Sequence, residues 1–254
     1  MNEQWAVVTG ASSGIGEEFA TQLAQEGFHV LLVARRTERL QKIMRELPTP
    51  GRMIVCDLSD CSERQRLKEE MQKLPLGILV NNAGFGRCGN FQENRKPGEE
   101  MIHLNIESVH DLTHEALRIM SEQGYGTILN VASCAGLLPC GPYMTDYYAT
   151  KAYVRSMTEG LAEELRRAGS PVRIYCLCPG PVDTEFNSVA NVRFALPGIS
   201  SNRCVKEALK GIRRRKVTII PSFLVRAGII CQKLVPEWMV VRIIARSQKK
   251  KIEC

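Results

Sequence analysis

The stretch from Trp5 to Gly27 constrains this chain most. Trp5-Ala6-Val7-Val8-Thr9 is a short apolar run of strand character, and Gly10-Ala11-Ser12-Ser13-Gly14-Ile15-Gly16 follows without a break. Glu17–Glu26 then carries Phe19, Ala20, Leu23 and Ala24 on one helical stripe, with Gly27 as its stop. The glycine turn aims backbone N–H groups and the positive end of a helix dipole at one spot, a cradle for a phosphate. Its spacing is GxxxGxG, not the GxGxxG of many dinucleotide folds. A tight connection from strand to helix would use such glycines without any ligand.

The pattern repeats. His29–Val33 reads as a second strand ending in Ala34-Arg35-Arg36, and residues 28–36 hold no Asp or Glu. In a dinucleotide-binding sheet an acid there takes the ribose 2′-hydroxyl and arginine accommodates a 2′-phosphate, so the expected cofactor is NADP(H) over NAD(H). Thr37–Glu46 is helical, Pro48, Pro50 and Gly51 make a loop, and strand Arg52–Cys56 ends in Asp57-Leu58, suited to an adenine edge. Ser62-Glu63-Arg64-Gln65 has the form of a capping box. Strand Leu76–Val80 ends in Asn81-Asn82-Ala83-Gly84, which offers hydrogen bonds to backbone and ribose.

Phe85–Gly98 reads as a loop and Met101–Gln123 as one long helix with Asn105 near its start. The Asn105 amide is either a polar helix position or the holder of a proton-relaying water. His103, Glu107, His110 and His114 share one stripe of that helix, but a stripe spread over several turns does not close around one ion, so no metal is expected. Later, strand Val172–Cys178 leads to Pro179-Gly180-Pro181-Val182-Asp183-Thr184, a rigid loop able to grip a carboxamide. Glu185–Ser200 is apolar and irregular, the character of a lid over a substrate. Asn202–Ile212 is helical and Val217–Ile220 is a last strand.

Between these lies the chemical centre. Strand Thr127–Ala132 ends at Ser133, a loop with Gly136, Pro139, Gly141 and Pro142 follows, and then comes Tyr147-Tyr148-Ala149-Thr150-Lys151. Tyr147 and Lys151 are four apart and share a helical face. A free tyrosine has a pKa near ~10. An ammonium ~4 Å away at an effective dielectric of ~20 favours the phenolate by roughly 4 kcal/mol before desolvation. Such a phenol can exchange a proton with a carbonyl or alcohol oxygen that Ser133 holds. Tyr143 and Tyr148 have no lysine four residues on.

Strands alternating with helices give a parallel sheet, and ligands of open α/β proteins bind at the carboxyl ends of such strands. Six successive strand ends here carry the glycine turn, Arg35, Asp57, Asn81, Ser133 and Pro179-Gly180. The length of 254 residues suits one α/β domain. The residues before Trp5 include no basic and apolar leader, and ten cysteines form no CxxC pair, so a cytoplasmic protein with reduced thiols is expected.

The net charge of +7 is uneven: from Arg203 onward it is +11, and before that −4. That argues against a general nucleic-acid binder and for a special role of the C-terminus. Ser222–Lys233 and Glu237–Ser247 read as two amphipathic basic helices forming an extension over 222–248. They suit a cover or subunit contact, an anionic membrane surface, or, with Arg213-Arg214-Arg215-Lys216, an acidic carrier protein. Lys249-Lys250-Lys251 reads as a frayed end.

In combination these motifs resemble the short-chain dehydrogenases/reductases of compact, single-domain kind, over roughly Trp5–Thr184. Thr9–Gly16 is similar to the family's TGxxxGxG, Asn81–Gly84 to its NNAG, and Pro179-Gly180 to its PG; Asn105, Ser133, Tyr147 and Lys151 fall on its tetrad. The resemblance implies a Rossmann-like doubly wound sheet of strand order 3-2-1-4-5-6-7 and a homodimer or homotetramer. It implies Tyr147 as acid/base, Ser133 as anchor of the carbonyl oxygen, Lys151 on the nicotinamide ribose and Asn105 in the proton relay. Gly10, Ser12, Ser13, Gly14, Ile15, Gly16, Arg35, Arg36, Asp57, Leu58, Asn81, Ala83, Gly84, Tyr147, Lys151, Pro179, Gly180, Val182 and Thr184 are the expected cofactor contacts. Position 13 is Ser where some NADP-preferring members carry a basic residue, which leaves the choice mainly to Arg35 and Arg36. Cys134, directly after Ser133, offers a thiol whose modification would block the site. The expected function is NADP(H)-dependent interconversion of a ketone and a secondary alcohol on a small lipophilic substrate. The rival is a non-catalytic NADP(H) sensor or scaffold using its basic tail.

Overall fold

A computed structural model describes residues 3–186 and 197–252, the last three by backbone alone. The first six strands are β1 (Trp5–Thr9), β2 (His29–Ala34), β3 (Gly51–Val55), β4 (Leu76–Asn81), β5 (Gly126–Val131) and β6 (Val172–Leu177). Two-residue strands β7 (Val182–Asp183) and β8 (Ile199–Ser200) pair with each other, and β9 (Thr218–Ile219) returns to the main sheet. The main sheet runs β3-β2-β1-β4-β5-β6-β9 with parallel pairings throughout, so the expected order holds with β9 in seventh place.

Strand periodicity decides the layers. Ala6 and Val8 point to one face, where they pack with Phe19 of α1 (Gly14–Gln25), Leu40 of α2 (Thr37–Glu46) and Ala208. Trp5 and Val7 point to the other, against Leu67 of α3 (Cys61–Gln72) and residues 112–165 of the later helices. Helices cover both faces, which is why the strands read as nearly continuous apolar runs. Each fully buried Phe19 or Leu32 contributes roughly 1.5–3 kcal/mol of transfer free energy.

Some local expectations are corrected. The cap of α3 is Asp60, whose carboxylate accepts from the Ser62 and Glu63 amides at 2.7 and 3.2 Å. Glu63 turns back instead to the Asp57 amide at 2.7 Å. The segment expected as one helix from Met101 is α4 (Arg95–Ile102), a π-turn over His103–Glu107, and α5 (Ser108–Gln123). Helix thus begins inside the stretch expected as loop. The widened turn holds Asn105, whose amide donates to the Phe85 carbonyl at 2.9 Å and to Thr150 Oγ1 at 3.2 Å.

The remaining helices are α6 (Thr145–Arg167), α7 (Ser201–Arg213), α8 (Phe223–Cys231) and α9 (Glu237–Ile252). The last two fold back over the strand ends. Gln232 donates to the Leu137 carbonyl at 2.8 Å, Val225 lies against Gly180, and Ile244 packs with the cluster around Tyr147. The backbone of the final lysines belongs to α9, not to a frayed end. Of the proposed lid over 185–200, residues 187–196 lie outside the described ones.

Candidate active site

One cavity of about 390 Å³ opens along the carboxyl ends of the strands. Gly10, Ser12, Ser13, Gly14, Ile15, Arg35, Arg36, Asp57, Leu58, Ala83, Gly84, Ser133, Tyr147, Lys151, Pro179, Gly180, Val182 and Thr184 all line it. Two of these glycines are needed for different reasons. Gly10 sits at φ +64, a left-handed conformation. Gly84 is bare for a different reason: a Cβ there would stand 2.8 Å from Asn105 Oδ1 and 3.3 Å from Lys151 Nζ.

Two expected cofactor contacts, Asn81 and Gly16, and the expected relay residue Asn105 are placed elsewhere. The Asn81 side chain is buried and donates to Thr113 Oγ1 at 3.2 Å and Asn130 Oδ1 at 2.9 Å. It joins β4 to β5 and α5 within the core, because the strand's alternation turns it away from the ligand side. Gly16 packs on the Gly10 carbonyl and does not line the cavity. Asn105 lies behind the wall, fully buried, accepting from the Phe85 amide at 3.1 Å. It positions the 83–86 strand end and the base of Lys151 through Thr150.

At one end the cavity is cationic. Arg36 donates to Ser12 Oγ at 3.1 Å and Ser13 Oγ at 2.8 Å, which ties β2 to the glycine turn. Arg35 stands 3.6 Å from the Asp57 carboxylate. Burial pushes the Asp57 carboxyl up, but hydrogen bonds from Ser59 and the Arg35 charge outweigh it, and Asp57 ends below its usual range. Glu185 accepts from Arg36 at 2.8 Å and from Arg39 at 2.5 Å.

The other end is apolar and holds the titratable pair. Ser133 closes β5, its hydroxyl accepting from the Ala135 amide at 3.1 Å, and it lines the same wall of the cavity as Tyr147. Tyr147 is in the first turn of α6, its ring 5.6 Å from that of Phe186. Lys151 follows one turn later, buried, with its Nζ 5.9 Å from the Tyr147 ring centre and donating to the Val131 carbonyl at 2.9 Å.

The electrostatics differ from the sequence expectation. At roughly 6 Å and an effective dielectric of ~20 the lysine favours the phenolate by about 3 kcal/mol. Burial opposes it and wins. It pushes the Tyr147 phenol well up, only partly offset by Ser133, and pulls the Lys151 ammonium down to about 8. The resting phenol is therefore protonated.

The histidine stripe forms local pairs, His103 with Glu107 at 3.0 Å and His110 with Tyr153 at 2.8 Å. Among the described residues no group of metal-ligating side chains converges.

Sequence reading named Asn82 only within its Asn-Asn-Ala-Gly motif and missed which of the two amides faces the site: Asn82 ties the fourth strand end to Thr9 by a 3.0 Å bond and lines the cavity. It also missed Arg39 and Gln248. Arg39 was legible, since it lies three residues after Arg36 and shares its helical face. Gln248, which donates to the Tyr148 hydroxyl at 3.1 Å, had no local signal. Burial, partly offset by that bond, pushes Tyr148 up to about 12.

The profile of the family described as short chain dehydrogenase matches residues 4–193. The chain belongs to that family. This short-chain dehydrogenase is an oxidoreductase, and its relatives include mouse 17-beta-hydroxysteroid dehydrogenase type 3, 34% identical over 82% of this chain and 68% of the relative. A human very-long-chain 3-oxoacyl-CoA reductase is 31% identical over 97% of this chain and 80% of its own. Among solved structures, a short-chain dehydrogenase from Sphingobium yanoikuyae in complex with NADPH superposes with TM-score 0.81 at 29% identity, covering 91% of this chain and 92% of that one. One from Burkholderia phymatum in complex with NAD gives 0.81 at 26%, covering 89% and 92%.

The buried ammonium has a cost that this short-chain dehydrogenase carries for its site. Its folded pKa, near 8, lies below the ordinary 10.5, so the unfolded chain binds more protons and the penalty is full below pH 8. It fades as pH rises towards 10.5. Lys151→Met is therefore expected to raise the unfolding temperature of the cofactor-free protein at neutral pH, the gain shrinking above pH 8. Thermal unfolding across pH checks this; a gain that grows with pH contradicts it.

Proposed function

We propose that the chain is an NADP(H)-dependent oxidoreductase interconverting a ketone and a secondary alcohol on a lipophilic substrate. The observation that carries this reading is that Ser133, Tyr147 and Lys151 line the apolar end of one cavity whose walls also hold Arg35 and Arg36.

The cavity suits a dinucleotide. A bare glycine turn, the cleared space at Gly84 and the strand-end backbone form a continuous cradle, and Arg35 and Arg36 in the same lining, with no acid on residues 28–36, favour a 2′-phosphate. Bound there, the nicotinamide supplies or accepts the hydride.

The protein's own groups handle the oxygen and its proton. Ser133 holds the carbonyl oxygen beside the phenol. Tyr147 donates its proton to that oxygen in reduction and recovers it in oxidation. A protonated resting phenol is the form that reduction requires. Lys151, fixed by the Val131 carbonyl, places positive charge where a phenolate forms and stabilises it after the proton has left.

Met144, Tyr148 and Phe186 make the neighbouring wall apolar, which favours a hydrophobic carbonyl. The relatives' names, one a hydroxysteroid dehydrogenase and one a very-long-chain 3-oxoacyl-CoA reductase, support the same substrate class.

Turnover with NADPH or NADP⁺ over a panel of steroid and acyl ketones and alcohols tests the activity. Tyr147→Phe should bind NADPH within about twofold of the parent yet lose on the order of 10²–10⁴ in kcat; full activity rejects the assignment. Neutralising Arg35 and Arg36 together should remove charge-assisted phosphate contacts and weaken NADPH by about tenfold or more, and NADH much less. Equal losses reject the 2′-phosphate role.

A further inference from the structure

We propose that the outer face of α8 and α9 docks on an anionic lipid surface. Eight of the thirteen large apolar side chains left exposed among the described residues lie between 223 and 243. Leu234 is 86% exposed, Phe223 73%, Ile243 61% and Trp238 58%. The inner stripe of α9 (Val240, Ile244, Gln248) is already used against the body of the protein. A helix apolar on its outer side as well has a face without a partner in the fold.

Charge identifies what fits that face. Residues 222–251 carry seven Lys and Arg and one acid, Glu237. The Arg242 guanidinium lies 4.8 Å over the Trp238 ring, which sets a cation and an interfacial aromatic side by side. A symmetric pairing of two copies would bring this cationic surface against itself, and protein interface cores are depleted in lysine. An anionic bilayer surface satisfies both halves, taking the apolar side chains at the acyl boundary and the cations at the headgroups. Attachment would be peripheral, since no helix among the described residues is long and apolar enough to cross a membrane. The same α9 supplies Gln248 to the cavity wall, so docking brings the apolar end of the active site to the lipid phase.

Sedimentation of the full chain with vesicles of phosphatidylcholine alone, or with about one third phosphatidylglycerol, tests this. Binding is expected only to the anionic vesicles, with a blue shift of Trp238 emission and loss in high salt. Leu234→Ser with Trp238→Ser should weaken binding by about tenfold or more without altering turnover of a water-soluble ketone. Absence of binding to anionic vesicles overturns the proposal. So does a stable dimer in ultracentrifugation that the double variant dissociates, because the face is then a subunit contact.

A separate observation concerns the cationic end of the cavity. Glu185 places its carboxylate on Arg36 and Arg39 beside Ser13, the anion position that the NADP(H) reading assigns to a 2′-phosphate. We infer that Glu185 is a specificity-setting residue that competes with that phosphate. The inference rests on the NADP(H) reading. Two exposed ion pairs are a modest barrier, so Glu185→Gln is expected to tighten 2′,5′-ADP and NADPH by roughly three- to tenfold and to leave 5′-AMP and NADH unchanged. Calorimetric titration of all four ligands decides it. Equal gains for phosphorylated and unphosphorylated ligands, or no gain, overturn the role of Glu185. If the parent protein shows no preference for the 2′-phosphate at all, the NADP(H) reading itself fails.

Discussion

A lysine ammonium buried against a backbone carbonyl is the constraint from which the site is built. Lys151 has no carboxylate partner among the described residues; its hydrogen bond goes to Val131, the last residue of β5. A cation in that position is expensive, and its surroundings are arranged to keep it there. Gly84 must lack a side chain, or it would strike both the amine and Asn105. Asn105 must sit in a π-turn, where its amide can reach Phe85 and Thr150 together. The fourth and fifth strands, the helix break and the start of α6 are thus coupled through one charged group. Stability is given up at this point to hold a positive charge near the Tyr147 ring.

Local chemistry made most of this legible. The glycine turn, the arginines after β2 and the Tyr–Lys spacing are all short-range patterns, and the alternation of strand and helix fixes which sheet end they share. What depended on three-dimensional packing was not legible. Asn81 and Asn82 are neighbours of the same type, yet strand alternation turns the first into the core and leaves the second to bind the glycine turn. Serine, glutamine and spacing favoured a cap at Ser62, but Asp60 offers a carboxylate to two amides and prevails. The π-turn is invisible to a 3.6-residue reading because it changes that period by one residue. Gln248 is 100 positions from the tyrosine it meets, so no local pattern announces it.

The phenol exposes a more general weakness of reasoning from spacing. Four residues along a helix put Tyr147 and Lys151 on one face, and a Coulomb estimate then predicts an acidified tyrosine. The same helix face is buried, and burial opposes charge on either group. Direct attraction at this separation is too small to overcome two desolvation penalties. Lys151 therefore does not ionise the resting phenol.

That difference gives the cavity a direction. Its arginine end is open and multiply charged before any ligand arrives, while its tyrosine end, apart from the buried Lys151 ammonium, is walled by Met144, Tyr148 and Phe186. A ligand with anionic groups at one end is drawn to the arginines, since reversing it would strand those charges in an apolar wall. An uncharged, lipophilic reactant meets the opposite preference. Orientation of both kinds of ligand therefore follows from one polarity gradient along the strand ends, with Ser133 and Tyr147 together at its apolar end.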